Sequence, residues 1–318
     1  MQSPSSSSSS GAPEPAFRGV FSVLPTPFDS SGELDLPGLS RVIDLYLGAG
    51  VNGLTALGVT SEVARLEDRE RSILLEAILR HVDGRVPVVA GATSNGLRIT
   101  IAHSRAAKAA GAAAVMVSPP QLARPSGDAL AGYYASLASA VDIPIVLQDY
   151  PPVSGFTMEP AILARIAREV PAVKAVKLED PPTPWKTARI LAEAGPGIKI
   201  LGGLGGVFLL EELLSGASGT MTGFAYPEIL VRIVSLFEAG KVDEAADIFY
   251  RYVPLMRFEF QQLLGVALRK HVLVRRGAIA DATIRMPGAK PDAATLAALD
   301  RLLGWIRQKY KEDSWISI

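Results

Sequence analysis

The chain has 318 residues, of which 48% are apolar and 20% charged, so a sizeable core is expected and wholesale disorder is excluded. Its 32 basic and 32 acidic side chains cancel, which argues against a general nucleic-acid binder and a polybasic membrane binder. Cysteine is absent, which excludes disulfides and thiol chemistry, and the three histidines (His81, His103 and His271) lie too far apart in sequence to predict a metal site.

The N-terminal segment, residues 1–17, is rich in serine and proline and has almost nothing to bury. It is predicted to be a disordered tail. The segment lacks the basic start and apolar stretch of a secretory signal, and no later run of ~18 uncharged apolar residues predicts a membrane span. A cytoplasmic protein is therefore expected.

From residue 18 onward, short apolar runs alternate with longer stretches of helical periodicity. Eight such pairs over about 230 residues predict an α/β fold, the TIM (β/α)8 barrel, for residues 18–240. A doubly wound open sheet is the alternative, but its glycine-rich fingerprint is missing from the first turn, which reads LPTPFD. The predicted strands are Gly19–Leu24, Gly53–Val59, Val86–Gly91, Ala113–Ser118, Pro144–Asp149, Val173–Leu178, Ile198–Gly203 and Gly219–Phe224.

The last part of the chain, residues 241–318, exceeds what a barrel of this kind needs. Helical periodicity covers roughly Glu228–Tyr252, Pro254–Arg275 and Ala293–Lys311. These stretches predict a C-terminal helical extension that packs against the barrel or against another subunit.

The sixth predicted strand ends in the residues with the strongest chemical signal. Active sites of (β/α)8 barrels lie at the carboxyl ends of the strands, and Lys177 stands at such an end. Among apolar strands the charged form of a lysine is disfavoured, and a neutral amine becomes available for a Schiff base. Because side chains alternate, Glu179 shares the face of Lys177, whereas Lys174 points the other way. The alternative is that Lys177 only pairs with Glu179 or Asp180 on the barrel rim.

The loop after the second predicted strand reads Gly58-Val59-Thr60-Ser61-Glu62. Its hydroxyls and backbone N–H groups stand at the start of a helix, where they could bind a carboxylate. Alternatively, Thr60 or Ser61 is simply the N-cap of that helix.

The fifth and seventh strand ends also offer candidate site residues. The fifth strand ends in Gln148, Asp149 and Tyr150, three polar or amphipathic side chains. The loop after the seventh strand is a glycine run that includes Gly203, which permits close approach of the backbone to a substrate or to a phosphate.

Together these segments resemble the dihydrodipicolinate synthase / N-acetylneuraminate lyase family of Schiff-base-forming barrel enzymes. The similarity extends from about residue 18 to residue 303, and its carriers are GVFSVLPTPFD, GVTSE in place of the family's GTTGE or GSTGE, VPVVAGAT and VKAVKLED. The resemblance implies that Lys177 forms an imine with the 2-oxo group of a pyruvate-like substrate. It implies that Thr60 and Ser61 help to bind the substrate carboxylate. It also implies a homotetramer, a dimer of dimers, with no metal or organic cofactor.

The chain departs from the family pattern at several site positions. Gln148 stands where the family has its proton-relay tyrosine, and Tyr150 follows two residues later. Val59 replaces the first hydroxyl residue of GTTGE, and Val153 replaces the arginine that dihydrodipicolinate synthases place after strand five. The tyrosine pair after strand four is absent from SPPQLARP. These departures argue against dihydrodipicolinate synthase activity and against a standard sialic-acid lyase.

One branch of the family, the 2-keto-3-deoxy-L-arabonate dehydratases, is more similar in its motifs. That branch has Gln-Asp-x-Pro at the end of strand five and Lys-x-Glu-x-Pro at the end of strand six, and this chain reads QDYP and KLEDP. The eighth strand, TMTG, is also similar and places Thr222 among the predicted substrate-binding residues. The resemblance implies a hydro-lyase that acts on a 2-keto-3-deoxy sugar acid.

The predicted mechanism begins with attack of Lys177 on the C2 carbonyl of such an acid. The protonated imine acidifies the C3 protons, a base removes one of them, and the C4 hydroxyl leaves. Glu179 is the first candidate for proton transfer because it shares a strand face with Lys177. Asp149 and Tyr150 follow, and Gln148 can only orient other groups because an amide does not titrate.

Three other interpretations remain open on the sequence. The chain could be a class I aldolase that releases pyruvate from a related acid. It could be a dihydrodipicolinate synthase-like enzyme. It could also be a barrel without catalysis that binds a small 2-oxo acid. In each case the expected partner is a small-molecule 2-oxo acid, with no nucleic acid and no membrane.

Overall fold

Eight parallel strands close into a barrel in the computed structural model, which describes residues 15–123 and 125–316. Each strand pairs with the next one along the chain, and the last strand pairs with the first. The predicted (β/α)8 architecture is therefore confirmed. The strands are β1 Gly19–Val23, β2 Gly53–Ala56, β3 Val88–Gly91, β4 Ala114–Val117, β5 Ile145–Asp149, β6 Val173–Leu178, β7 Lys199–Gly202 and β8 Gly219–Thr222.

Helices connect the strands and surround the barrel, and three more helices follow after α9. Asp35 and Ser126 cap α1 and α4 by accepting hydrogen bonds from backbone N–H groups in the first helical turn. In the described part of the chain no helix combines the length and the apolar character needed to cross a bilayer. The helices are α1 Leu36–Gly48, α2 Asp68–Val82, α3 Leu97–Ala110, α4 Gly127–Ala140, α5 Pro151–Ser154, α6 Pro160–Glu169, α7 Thr183–Ala194, α8 Leu209–Leu214, α9 Pro227–Glu238, α10 Val242–Glu259, α11 Gly265–Arg275 and α12 Ala293–Lys309.

Alternation along the strands sorts their side chains into two apolar clusters. One face packs under the helices, and the other fills the barrel interior. Phe17 belongs to the interior cluster and stacks on Phe21, with ring centroids 5.9 Å apart. The prediction of a tail that extends to residue 17 is therefore wrong at Phe17, whose ring fills the amino end of the barrel. Residues 1–14 of that predicted tail lie outside the described residues.

The C-terminal helices begin and end differently from the prediction. The helix expected over Glu228–Tyr252 is interrupted at Gly240, whose φ of 76° lies in the left-handed region that glycine adopts without strain. Pro254 was expected to open a helix and instead lies inside α10. Proline removes a single helical hydrogen bond, here to the carbonyl of Tyr250, which is an exposed residue.

Charged side chains join the C-terminal extension to the loop after β2. Lys270 of α11 is fully buried, and its Nζ lies 2.5 Å from Glu62 Oε1. Burial lowers the pKa of Lys270, and the charge of Glu62 opposes that shift. Arg285 pairs with Glu70 at 2.5 Å, and its backbone N–H donates to the second Glu62 oxygen. The extension is thus tied to the loop that carries GVTSE.

Glu212 of α8 is a buried carboxyl group behind β7. It packs so closely that a Cβ atom at Gly202 would fall 1.7 Å from Glu212 Oε2. Thr183 Oγ1 donates to Glu212 Oε1 at 2.6 Å. Burial raises the pKa of Glu212 to about 8, so the carboxyl group is mostly protonated at neutral pH.

We expect Glu212→Gln to flatten the pH dependence of stability. The pKa of Glu212 is about 8 in the folded chain, against the ordinary 4.5. Its contribution is therefore full below the unfolded pKa and is lost as the pH rises towards the folded pKa. Relative to the variant, the wild type should lose up to about 1.4 kcal/mol per pH unit in this window. Urea unfolding between about pH 5 and pH 9 measures the difference. Parallel curves would contradict the assignment, and exposed Glu244→Gln is the matched control.

Candidate active site

A cavity of about 800 Å³ opens at the carboxyl ends of the strands. Its walls come from the loops after β2, β3, β5 and β6 and from the segment between α10 and α11. A second cavity, of about 930 Å³, lies at the amino ends and contains none of the predicted site residues. The candidate active site is therefore the first cavity, whose lining includes Gly58, Val59, Thr60, Gln148, Tyr150, Glu179 and Phe260.

Gln148 and Glu179 line this cavity, and the buried Lys177 contacts Glu179 from behind the lining. Lys177 is buried, with 4% of its surface exposed, and its Nζ lies 3.0 Å from Glu179 Oε2. Gln148 is the in-register neighbour of Lys177 on β5, and its Nε2 donates to the same Glu179 oxygen at 2.7 Å. The sequence placed these three side chains at adjacent strand ends, and the fold brings them into contact. One carboxylate oxygen thus faces both an amine and an amide donor.

Ser118 and Thr93 extend this hydrogen-bond chain. The Ser118 hydroxyl donates to Gln148 Oε1 at 3.1 Å, and the Ser118 N–H donates to Thr93 Oγ1 at 3.0 Å. Because Oε1 of Gln148 accepts from Ser118, its Nε2 must face Glu179. Sequence reasoning missed Ser118 as a site residue. The signal was available, since Ser118 shares the inward strand face of Met116.

Gly203 provides the space that Glu179 occupies. A Cβ atom at Gly203 would fall 2.3 Å from Glu179 Cγ, so a side chain here would displace the carboxylate. Thr222, also predicted to bind substrate, is not brought to the cavity wall. Its Oγ1 instead accepts a hydrogen bond of 2.8 Å from the Gly205 N–H and supports the turn after β7. In that turn Gly205 has a φ of 69°, in the left-handed region.

The GVTSE loop offers fewer donors than its sequence suggests. The Ser61 hydroxyl donates to Leu24 O at 2.5 Å and accepts from the Gly58 N–H at 3.1 Å. The Ser61 N–H donates to Gly58 O. Ser61 therefore holds the loop in shape, whereas Thr60 Oγ1 is buried with no hydrogen-bond partner among the described residues. Thr60 is the better placed of the two predicted hydroxyls for a substrate carboxylate.

Asp149 is not part of the cavity, and its predicted role in proton transfer is corrected. Its side chain points away from Gln148, as strand alternation requires, and Lys186 Nζ lies 2.6 Å from its Oδ2. Tyr150, in contrast, lines the cavity. Burial raises the pKa of Tyr150 and the charge of Glu179 adds to the shift, so its phenol stays protonated at neutral pH. Tyr150 can therefore donate a proton to a leaving group.

The C-terminal extension supplies a wall of the cavity that the sequence did not reveal. Phe260, Gln261 and Gln262 lie between α10 and α11 and line the outer part of the cavity. The sequence predicts that the extension packs against the barrel or against another subunit. It does not indicate that these residues line the cavity. Within residues 15–123 and 125–316, no three His, Asp or Glu side chains are placed to hold a metal ion.

Known sequences place the chain among proteins of one family. The sequence model of the dihydrodipicolinate synthetase family matches residues 16–304. The chain is 35% identical over 296 residues to the L-2-keto-3-deoxyarabonate dehydratase of Azospirillum brasilense, covering 91% of this chain and 95% of that protein. It is 30% identical over 291 residues to a 4-hydroxy-tetrahydrodipicolinate synthase of Methanosphaerula palustris, covering 90% of this chain and 98% of that protein.

Solved structures show the same similarity in three dimensions. The dihydrodipicolinate synthase of Rhodopseudomonas palustris superimposes with a TM-score of 0.87 at 32% identity, covering 93% of this chain and 99% of the other. A prophage protein of the dihydrodipicolinic acid synthase family from E. coli, solved in complex with pyruvate, gives a TM-score of 0.86 at 26% identity, covering 92% and 99%.

Proposed function

The chain belongs to the dihydrodipicolinate synthetase family, whose members are lyases, and on that basis we propose that it dehydrates a 2-keto-3-deoxy sugar acid through an imine on Lys177. One observation carries the proposal: Lys177 Nζ lies 3.0 Å from Oε2 of Glu179, which lines the cavity. The similarity to the dehydratase of A. brasilense supports the choice of substrate class.

In the proposed reaction, Lys177 first loses a proton to solvent water and becomes a neutral nucleophile, while Glu179 stays a carboxylate. Its attack on the C2 carbonyl expels water and gives a protonated imine, which draws electrons from the C3–H bond. Glu179 takes the C3 proton, and the C4 hydroxyl leaves with a proton from Tyr150 or from Glu179. Hydrolysis of the imine frees Lys177, and the net change is loss of one water.

The substrate carboxylate is proposed to bind at Thr60 and at the backbone around Gly58. Thr60 Oγ1 has no partner within the described residues, and both residues line the cavity. Val59 and Gly203 complete the proposed substrate site. A homotetramer stays a prediction of the family resemblance, and a cytoplasmic location stays a prediction from the sequence.

A class I aldolase is the second candidate, because a structural relative from E. coli was solved in complex with pyruvate. Both activities require Lys177 and differ in the bond that breaks, which is C4–O for the dehydratase and C3–C4 for the aldolase. Val153 stands where dihydrodipicolinate synthases have an arginine after strand five, and this difference disfavours a dihydrodipicolinate synthase-like reaction.

Product analysis separates the two candidates. We expect incubation with 2-keto-3-deoxypentonates and 2-keto-3-deoxyhexonates to give a product lighter than its substrate by one water, without pyruvate. Mass spectrometry detects the dehydrated acid, and a lactate dehydrogenase assay detects pyruvate. Release of pyruvate in step with substrate loss would replace the dehydratase assignment with the aldolase.

A further inference from the structure

A buried ion cluster lies behind the two strand ends that carry the site. Lys186 of α7 is 3% exposed, and its Nζ lies 2.6 Å from Asp149 Oδ2 and 2.8 Å from Asp180 Oδ2. The same ammonium donates to Met158 O at 2.8 Å. All three ammonium protons therefore have acceptors, and the position of Lys186 is fixed from three directions.

Lys186 contacts two carboxylates, and each of them is next in sequence to a cavity residue. Asp149 follows Gln148 on β5, and Asp180 follows Glu179 after β6. Because side chains alternate along β5, Gln148 and Asp149 point to opposite faces. Gln148 and Glu179 are hydrogen-bonded to each other in the cavity, whereas Asp149 and Asp180 share Lys186, and Asp180 also reaches the cavity lining. The two strand ends are thus tied on both faces.

Lys186 compensates the charge of Asp149. Asp149 is fully buried, and its Oδ1 has no hydrogen-bond partner among the described residues. Burial raises the pKa of Asp149 to about 6, while the charge and hydrogen bond of Lys186 oppose that shift. Removal of the ammonium would leave the carboxylates of Asp149 and Asp180 close together without a counter-charge. Either the two strand ends would separate, or one carboxylate would take up a proton.

We propose that Lys186 is a positioning residue, which fixes the spacing of the β5 and β6 ends and so directs Glu179 at Lys177. The inference rests on the proposed function, because it assigns Lys186 a role through the proton-transfer carboxylate. Lys186 itself does not touch the substrate. Its effect falls on removal of the C3 proton and leaves the imine-forming amine in place.

The test uses pyruvate, which has the 2-oxo acid group but not the sugar tail. Borohydride trapping measures imine formation at Lys177, and exchange of the pyruvate methyl protons in D2O, followed by NMR, measures C3 proton transfer. We expect Lys186→Met to keep trapping and to slow exchange by about 10²-fold, as misplacement of a catalytic group by about 1 Å does. Exposed Arg189→Met on the same helix is the matched control and should exchange at the wild-type rate.

A double-mutant cycle separates positioning from general loss of structure. In a Glu179→Gln background, Lys186→Met should slow exchange no further, because the group that it positions is already gone. Additive losses would overturn the proposal, and so would wild-type exchange in the single variant. If Lys186→Met does not fold, Asp149→Asn takes its place, because Asp149 pairs with Lys186 and does not line the cavity. Slower exchange is expected, and wild-type exchange would again overturn the proposal.

The two levels of inference fail in different ways. If the wild-type protein traps no pyruvate, the imine mechanism of the proposed function fails. If the wild type traps and exchanges pyruvate while Lys186→Met matches it, only the positioning role of Lys186 fails.

Discussion

We expect Lys177→Ala to lose turnover of 2-keto-3-deoxy acids by at least about 10⁴-fold, because Lys177 supplies the proposed covalent step and each later step passes through the imine. Borohydride reduction with pyruvate should attach one adduct to the peptide that contains Lys177 in the wild type and none in the variant. Peptide mass mapping makes the assignment. If the protein instead binds a 2-oxo acid without catalysis, the wild type itself will show no turnover.

The controls for Lys177 address folding and position. Lys177→Ala leaves Glu179 with its hydrogen bond from Gln148, so the fold should persist, and circular dichroism with a melting curve checks this. Lys177→Met keeps the apolar part of the side chain and should be equally inactive. Lys174→Met, on the same strand, should trap and turn over as the wild type does. An unchanged adduct in a folded Lys177→Ala protein would refute the imine assignment.

We expect Glu179→Gln to lower kcat by about 10²–10⁴-fold, the range of general acid–base catalysis, while an imine still forms. Gln occupies nearly the same volume but cannot accept a proton from C3, so the reaction should stall after imine formation. Borohydride trapping therefore rises relative to turnover. Single-turnover kinetics can resolve the two steps and measure the rate of imine formation and the rate of proton transfer separately.

The Glu179→Gln experiment has a matched control and one result that would contradict the assignment. Exposed Glu193→Gln is the matched control, since it changes the same charge outside the cavity. Turnover by Glu179→Gln at the wild-type rate would remove Glu179 from the mechanism and leave Tyr150, which lines the same cavity, as the group to test next.

The barrel and the core of its site could be predicted because both follow from local patterns. Alternation along β6 places Lys177 and Glu179 on one face, and the repeat of strand and helix is visible in the chain. Alternation applied to β5 also indicates that Gln148 and Asp149 face opposite ways. The prediction kept Asp149 as a candidate because its outward partner, Lys186, lies on α7, far along the chain.

The rest of the site depended on contacts between distant segments, whose partners a local pattern does not identify. Ser118 looks like the last residue of an apolar strand, and only the fold shows its hydroxyl on Gln148. Ser61 looks like a free donor, but its hydroxyl is used within its own loop and on Leu24. Pro254 is predicted to start a helix, because proline is favoured at the first helical position, whereas in the structure it lies inside α10.

The ion pair between Glu62 and Lys270 has a consequence for the order in which the protein matures. The two residues are 208 positions apart, and both are buried in the finished molecule. During synthesis, all eight strands leave the ribosome before α11 does. The loop that carries Glu62 therefore lacks its buried ion pair until α11 has been translated, and the Arg285 N–H, which also donates to Glu62, follows later still.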